Sequence, residues 1–532
     1  RRPPRSTLFP YTTLFRSLRS DLAARADRVW QTHISWVFGI GDEVLKVKRP
    51  VELGFLDFST LARRRAACEA EVALNARLAP DVYRGVVPIT RDAAGRHALE
   101  GEGEVVDFAV RMRRLPDSSR ADLRLAEGRL ELEEVDRMAC RVAAFHAACR
   151  VDTDTAAFGR PDAIRRNVRE NFEQARGRIE ALLTPAEALE IERTELAFLD
   201  AHEAALHARA DRGRVRDGHG DLRLEHFYLE DDGAVRVLDC IEFNERFRYA
   251  DVCADVAFLS MDLAWHGRVD LAERALATYA RESSDYDLYP LVDFYESYRA
   301  YVRGKIAAML ATDEHAPAPA RERAREEARR YFLLALAAER RPLLAPMVVA
   351  IGGPIASGKS TLADRLGAAM GAPAINTDRI RKHLLGARAT DRLYDGSWVG
   401  AYVPGFAEAV YAEVDRLAQA VLASGRPVIL DASFRSRAMR EGARRLAERA
   451  GVEFRFVECR VDPRIAKARL RVRDMQTSVS DGRLEIFDEF LRRWEPVDEL
   501  GADVHLVVDT SRELDDVVES LRGKLPLWPD RR

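Results

Sequence analysis

Hydrophobic positions recur along this chain with two different periods, and the changes of period divide it into elements. From Trp30 to Lys48 apolar and polar residues follow the short alternation of β-strands, with a glycine-bearing turn at Gly39–Gly41. From Arg63 to Leu78 the spacing becomes helical, with Cys68, Val72 and Ala76 in step and Pro80 as the stop. Val105–Met112 predicts another strand and Leu130–Cys149 another helix, and helices dominate from about 163 to 210. A pair of strands is expected around His219–Asp239, followed by helices to about Leu310. The segment 311–320, ATDEHAPAPA, interrupts the helical pattern before a charged helix over 321–341. Pro342 and Pro346 then precede a new apolar strand, Met347–Ile351, which places a domain boundary near 342–346. No internal repeat is visible.

A length of 532 residues exceeds one ordinary core, so two or more domains are expected. The formal charge of −3 gives no basis for a nucleic-acid or membrane surface, and no apolar run approaches the length of a bilayer span. Cysteines stand singly at 68, 140, 149, 240, 253 and 459, which predicts free thiols in a reducing cytoplasm. Only seven of the 84 basic residues are lysines, so a Lys retained in this arginine-rich background is a sharper clue than usual. Residues 1–17, RRPPRSTLFPYTTLFRS, repeat Thr-Leu-Phe at 7–9 and 13–15 and lack the apolar stretch of a signal peptide. They resemble translated sequencing-adapter sequence and are set aside, which leaves 18–342 and 343–532 as the expected domains.

The strand Met347–Ile351 runs into Gly353-Pro354-Ile355-Ala356-Ser357-Gly358-Lys359-Ser360 and then a helix from Thr361. This is the pattern G-x-x-x-x-G-K-[ST] in a strand–loop–helix setting. Such a loop wraps backbone N–H groups around the phosphates of ATP, and the helix N-terminus behind it favours the anion. Lys359 is expected to bridge the β- and γ-phosphates and Ser360 to ligate Mg2+. Asp378 follows a short strand, Ala374–Thr377, in a D-x-x-R pattern with Arg381. That carboxylate suits acceptance of a proton from an acceptor hydroxyl while the guanidinium holds an anionic group; a helix N-cap is the competing role. Three residues apart on a helix, the two side chains share a face, and the guanidinium is expected to lower the Asp378 pKa. Val428-Ile429-Leu430-Asp431 predicts a buried strand ending in a carboxylate suited to Mg2+ or its waters, or else a plain turn Asp. Arg464, Arg469, Arg471 and Arg473 cluster on a helix leading into Thr477–Gly482. That layout suggests a lid that brings arginines such as Arg469 and Arg473 over the phosphoryl group, with a solvated basic face as the alternative. Over roughly 345–525 these features resemble the P-loop kinases of small molecules and polynucleotide 5′-ends, including zeta-toxin-like kinases. The resemblance implies an α/β domain with a doubly wound parallel sheet and the P-loop after its first strand.

A second constellation lies upstream. His219-Gly220-Asp221-Leu222-Arg223-Leu224-Glu225-His226 is followed by Val235-Arg236-Val237-Leu238-Asp239. A His-Gly-Asp loop with a strand-borne Asp some 18 residues on is the layout of a kinase catalytic loop and its metal-binding Asp. Asp221 would orient or deprotonate an acceptor hydroxyl, and Asp239 would hold Mg2+ against the phosphates. With Asp251 and Asp255 at a helix start, these residues resemble the aminoglycoside phosphotransferase/choline kinase family over roughly 27–310. The stretches HGDL, DCIEFN and DVCADVAFL are most like a bacterial group often fused to a P-loop kinase. The resemblance implies an α+β, protein-kinase-like fold in which a strand Lys pairs with a helix Glu to place the α/β-phosphates. Lys46 and Lys48 lie on one strand face; Lys46 is preferred because its face-neighbour Val44 is placed to touch adenine, with Lys48 as the alternative. Glu71 is the expected partner, with Glu69 behind it. The position that in the family carries an Asn ligand for a second Mg2+ holds His226, a poorer donor for Mg2+ that is suited to a phosphate hydrogen bond or to packing.

The expectation is an ATP- and Mg2+-dependent cytoplasmic phosphotransferase whose two kinase-type domains move γ-phosphoryl groups to hydroxyls of small molecules. The alternative is an N-terminal half that senses a ligand and controls the P-loop kinase. The acceptor expected at the P-loop half is a small anionic metabolite, sugar or nucleotide-like molecule; otherwise neither nucleic acid nor membrane is expected as a partner.

Overall fold

The computed structural model of the chain describes residues 12–32, 34–52, 56–314, 316–337, 345–393 and 403–529. The predicted boundary at 342–346 begins outside them, at 342–344. Two compact units interleave along the sequence. One gathers the chain up to Glu134 with Ala148–Ile164 and Ala204–Asp255; the other takes Val135–Ala147, Arg165–Glu203 and the chain from Val256 onward.

The first unit is built on six strands: β1 (Arg28–Gln31), β2 (Ser35–Ile40), β3 (Glu43–Lys48), β4 (Tyr83–Arg91), β5 (His97–Leu99) and β6 (Glu104–Arg113). They form one antiparallel sheet in the order β1-β2-β3-β6-β4-β5. Successive residues of β3 serve opposite faces. Leu45 and Val47 join Phe38, Ile89 and Ala109 in a core that also holds Leu18 and Leu22 of the helix Thr12–Ala23. Val44 joins the other core, where Cys68 of the helix Leu61–Asn75 packs with Val110 and Met112. The alternation therefore delivers Lys46 and Lys48 to the face covered by Leu61–Asn75. β3 is hydrogen-bonded on both sides, so Lys46 does not lie on an edge strand. The helix Thr12–Ala23 starts inside the segment set aside as 1–17, and its two buried leucines, one turn apart, anchor it.

Four short strands complete this unit: β7 (Val215–Asp217), β8 (Phe227–Leu229), β9 (Val235–Val237) and β10 (Tyr249–Asp251). β7 pairs with β10 and β8 with β9, both antiparallel. The His-Gly-Asp loop runs between β7 and β8, and Asp239 follows β9.

The second unit carries a parallel sheet of β11 (Met347–Gly352), β12 (Ala374–Asn376), β13 (Val428–Asp431), β14 (Glu453–Arg460) and β15 (His505–Asp509). The order β12-β13-β11-β14-β15 puts β11 where the winding reverses, the place at which open parallel sheets bind ligands beyond their carboxyl ends. All six β11 residues are buried, as expected of a strand covered on both faces. Register aligns Ile351 with Asp431 and Asp431 with Asn376, so the strand ends converge just where the P-loop begins.

Helices Val269–Ser283 and Tyr289–Ala311 belong to the same unit and are tied to the P-loop portion by ion pairs. Asp364, on the helix that follows the P-loop, accepts from Arg281 at 2.7 Å and from Arg274 at 3.2 Å. Arg426 meets Glu273 at 2.8 Å and Asp293 at 3.0 Å. The Tyr286 hydroxyl donates to the Ala374 carbonyl at 2.8 Å. All six cysteines are free. Among the described residues no helix is long and apolar enough to cross a membrane.

Candidate active sites

The first site forms where β3, the helix Leu61–Asn75 and the segment after β9 converge. Lys46 Nζ lies 2.8 Å from Glu71 Oε1 and also pairs with Asp239. Lys48 Nζ lies 2.5 Å from Glu71 Oε2 and pairs with Glu242. Both predicted lysines therefore share Glu71, and Glu69 turns outward to Arg65 at 2.8 Å. Lys48 and Glu71 are fully buried. Burial alone depresses an ammonium, but Asp239 and Glu71 hold Lys46 well above its ordinary value, and Glu242 and Glu71 raise Lys48. Burial likewise opposes the Glu71 charge, yet the two lysines hold that carboxyl below the usual range. Asp239 has φ of +65°, a left-handed conformation uncommon for a non-glycine residue and typical of strained functional positions.

The catalytic-type loop is pinned from behind. Asp255 accepts from the backbone N–H of His219 at 2.7 Å and of Gly220 at 2.9 Å. Gly220 needs its left-handed φ of +89°, and a Cβ there would meet the Phe247 carbonyl oxygen at 2.8 Å. His219 Nε2 donates to the Leu238 carbonyl at 3.0 Å, and its Nδ1 accepts from the Asp221 N–H at 3.2 Å. Burial pushes its pKa down to about 4, so this imidazole is neutral and structural. The Asp221 carboxylate is held by both arms of Arg223, at 3.1 and 3.2 Å. His226 Nδ1 lies 2.7 Å from the Asp221 carbonyl oxygen.

The second site lies in a cavity of about 210 Å³ over the carboxyl ends of β11, β12 and β13. The P-loop predicted from sequence has the backbone of a phosphate cradle. Gly353 has φ of +152° and Gly358 of +83°, and a Cβ on Gly353 would meet the Cys459 carbonyl oxygen at 2.6 Å. The helix Lys359–Met370 starts directly behind, with Thr361 in its first turn. Ser357 Oγ is buried without a hydrogen-bond partner among the described residues, and Lys359 Nζ donates to the Pro354 carbonyl oxygen at 2.7 Å. Burial pushes the Lys359 ammonium below its ordinary value, the state of a cation awaiting an anion. Ser360 is exposed at the cavity wall. These features fit a nucleotide phosphate chain.

Asp378, Arg381, Asp431 and Arg473 line the same cavity. Asp431 is buried at the end of β13 and accepts from Asn376 Nδ2 at 2.5 Å. Asp378 is not the helix cap: Asn376 caps Thr377–Leu384 by accepting from the Arg379 N–H, so the Asp378 side chain is released toward the cavity. The expected lowering of its pKa is corrected by the structure. Burial raises it, and Arg381, whose Nε stands 4.0 Å from Oδ1, offsets that only in part. The two predicted lid arginines divide. Arg473 faces the cavity, whereas Arg469 is tied to Thr510 O at 2.6 Å and Ala356 O at 3.4 Å, behind the P-loop. Both lie on the regular helix Pro463–Asp474.

Several contributors do not stand out in the sequence. Glu242 completes the Lys48 pair, and Arg435, Arg483 and Tyr411 line the P-loop cavity. Lys382, fully buried, donates to the Val479 carbonyl at 2.7 Å and pairs with Asp481 at 3.2 Å, fixing the Thr477–Gly482 stretch. The scarcity of lysine is the signal that points to Lys382. Among the described residues no group of three or more His, Cys, Asp or Glu is placed to hold a metal without other ligands. One or two carboxylates completed by phosphates and water is the usual Mg2+ arrangement, which Asp239 and Asp431 suit.

Comparison with known proteins bears on both halves. Residues 41–301 match the phosphotransferase enzyme family, and 348–497 match a family described as an AAA domain. A protein of Mycobacterium bovis is 33% identical over 446 residues, covering 83% of this chain and 86% of its own length. A protein of Mycobacterium tuberculosis matches to the same extent. Among solved structures, a choline/ethanolamine kinase family protein from Mesorhizobium loti aligns over 62% of this chain and 99% of its own (13% identity, TM-score 0.32). A gluconokinase from Sinorhizobium meliloti aligns over 34% of this chain and 91% of its own (22% identity, TM-score 0.23).

Proposed function

The chain belongs to the family that joins an aminoglycoside-phosphotransferase-type domain to a P-loop kinase domain and is an ATP-dependent kinase acting on small molecules; from that premise we propose that both of its sites transfer phosphoryl groups to hydroxyl acceptors. The observation that carries this reading is the convergence of Lys359, Ser360, Asp378, Arg381, Asp431 and Arg473 on one cavity. In it Lys359 and the P-loop amides bind the β/γ-phosphates, and Arg473 neutralises charge on the transferred group. Asp378 accepts the acceptor's proton, a task its burial-raised basicity favours. Arg381 binds a phosphate or carboxylate elsewhere on the acceptor, which makes that acceptor a small anionic alcohol. Mg2+, held through Ser360 and Asp431, would draw charge from the phosphate oxygens.

At the N-terminal site Lys46, positioned by Glu71, would hold the α/β-phosphates, Asp239 the metal and Asp221 the acceptor hydroxyl. The functional division falls near 342–346. The test uses the full chain with ATP and a metabolite extract, followed by mass spectrometry of the products. Two phosphorylated products are expected, one lost in Lys359→Ala and the other in Asp221→Asn. A single product insensitive to Asp221→Asn would reduce the N-terminal half to a ligand-sensing module.

A further inference from the structure

His226 stands where the Asn ligand of a second metal ion was expected, and its ring is oriented by the backbone. Nδ1 lies 2.7 Å from the Asp221 carbonyl oxygen. A carbonyl only accepts, so Nδ1 carries the proton, and in the neutral ring Nε2 keeps its lone pair. That nitrogen makes no hydrogen bond with the described residues, although His226 is only 7% exposed. Its polar neighbours are Asp239 Oδ2 at 3.7 Å and Glu225 Oε1 at 3.8 Å. Glu225 Oε1 is engaged by Arg223. Asp239 gives its other oxygen, Oδ1, to Lys46 and leaves Oδ2 toward the imidazole. Two donors bound to one octahedral ion at about 2.1 Å stand about 3.0 Å apart when adjacent and about 4.2 Å apart when opposite. The observed 3.7 Å matches neither spacing, so the two side chains close by about 0.7 Å to hold one ion in adjacent positions. The neighbouring imidazole of His219 offers no such lone pair, because both of its nitrogens are committed to backbone groups.

Taking Asp239 as the metal carboxylate of the function proposed above, we infer that His226 Nε2 and Asp239 Oδ2 jointly ligate one divalent ion. Imidazole suits first-row transition ions better than Mg2+, so this site prefers Mn2+ to Mg2+. Asp239 holds its place beside the ring with a left-handed backbone, φ +65°. Nucleotide phosphates and water complete the coordination shell.

The test is pulsed electron paramagnetic resonance of Mn2+ on the full chain, with the histidines labelled with nitrogen-15 and ADP present. A nitrogen-15 coupling to Mn2+ is expected, and it disappears in both His226→Asn and Asp239→Asn. Added Mg2+ should first displace the Mn2+ that shows no histidine coupling and displace the coupled Mn2+ last. Mn2+ bound in an Asp239-dependent manner without histidine coupling overturns the ligand assignment and leaves the proposed function standing. Absence of any Asp239-dependent Mn2+ overturns both. A coupling that survives in His226→Asn assigns it to another histidine and overturns the inference, and displacement in the reverse order overturns the preference. If His226→Asn fails to fold, the labelled wild type and Asp239→Asn decide the matter.

Discussion

Lys46 and Lys359 are both set to meet phosphates, yet the chain treats them in opposite ways. Lys46 sits in a closed charge network in which two ammonium groups, Lys46 and Lys48, face the carboxylates of Glu71, Asp239 and Glu242. Lys359 has a backbone carbonyl as its hydrogen-bond acceptor, and burial works against its charge. In the first arrangement both cations are paired without a ligand, and one carboxylate charge is left over for a metal ion to balance. The second is short of an anion and is balanced when phosphate arrives. A buried charge can therefore be stabilised by the fold or be left for the ligand to stabilise, and the choice decides whether a residue matters to stability or to binding.

The largest effect expected from this contrast is on catalysis at the P-loop. Lys359→Ala should lower formation of the Lys359-dependent product by about 10³-fold or more, as for loss of a charge-stabilising group at a phosphoryl-transfer site. Because the folded pKa of Lys359 is lowered, ionisation weakens the fold at neutral pH, and removing the lysine should leave the thermal midpoint unchanged or higher. A clear drop in the midpoint breaks the comparison. The next effect runs the other way. Lys48→Met leaves Glu71 and Glu242 buried without their shared cation and should destabilise the chain by about 3–5 kcal/mol in denaturant titration. A loss well under that range would show that the network is solvated. The smallest effect sharpens the acceptor side. Asp378→Asn should cut turnover by roughly 10²-fold with ATP affinity nearly unchanged. Since burial raises the Asp378 pKa, its protonated form stabilises the fold at low pH, and that contribution is lost as pH rises through the folded pKa. Asp378→Asn should therefore stabilise the chain at neutral pH. Turnover of the wild type should fall, as pH drops, from a point above the ordinary carboxylate range. Full turnover in Asp378→Asn would remove Asp378 from the chemistry.

The features legible in the sequence are those that are local or periodic. The P-loop is eight contiguous residues, and strand alternation alone places Lys46 and Lys48 on one face. The helix that carries Glu71 is legible from its spacing, whereas the choice of Glu71 over Glu69 as the lysine partner rests on the family resemblance and not on periodicity. Glu242 does not stand out because its partner, Lys48, is 194 residues away. Arg435 and Arg483 reach the cavity from outside helices and strands, and no single arginine is conspicuous in a chain so rich in them. The sign of the Asp378 shift escapes the sequence for a different reason. Pattern shows the guanidinium neighbour but not the depth of burial, and burial dominates. Asn376 takes the capping role because it stands one residue before the helix, a detail set by where β12 ends.

The ion pairs around Asp364 and Arg426 bear on the order in which the chain is made. Synthesis proceeds from the N-terminus, so Arg274, Arg281, Glu273 and Asp293 leave the ribosome well before Asp364 and Arg426 do. The helices Val269–Ser283 and Tyr289–Ala311 thus exist first, as a charged template carrying both signs. The P-loop portion, translated last, finds its Asp364 and Arg426 already matched by partners on that template. A ribosome stalled shortly before residue 345 would leave Glu273 and Asp293 without Arg426, and Arg274 and Arg281 without Asp364. Full-length synthesis is in this sense the step that completes these ion pairs.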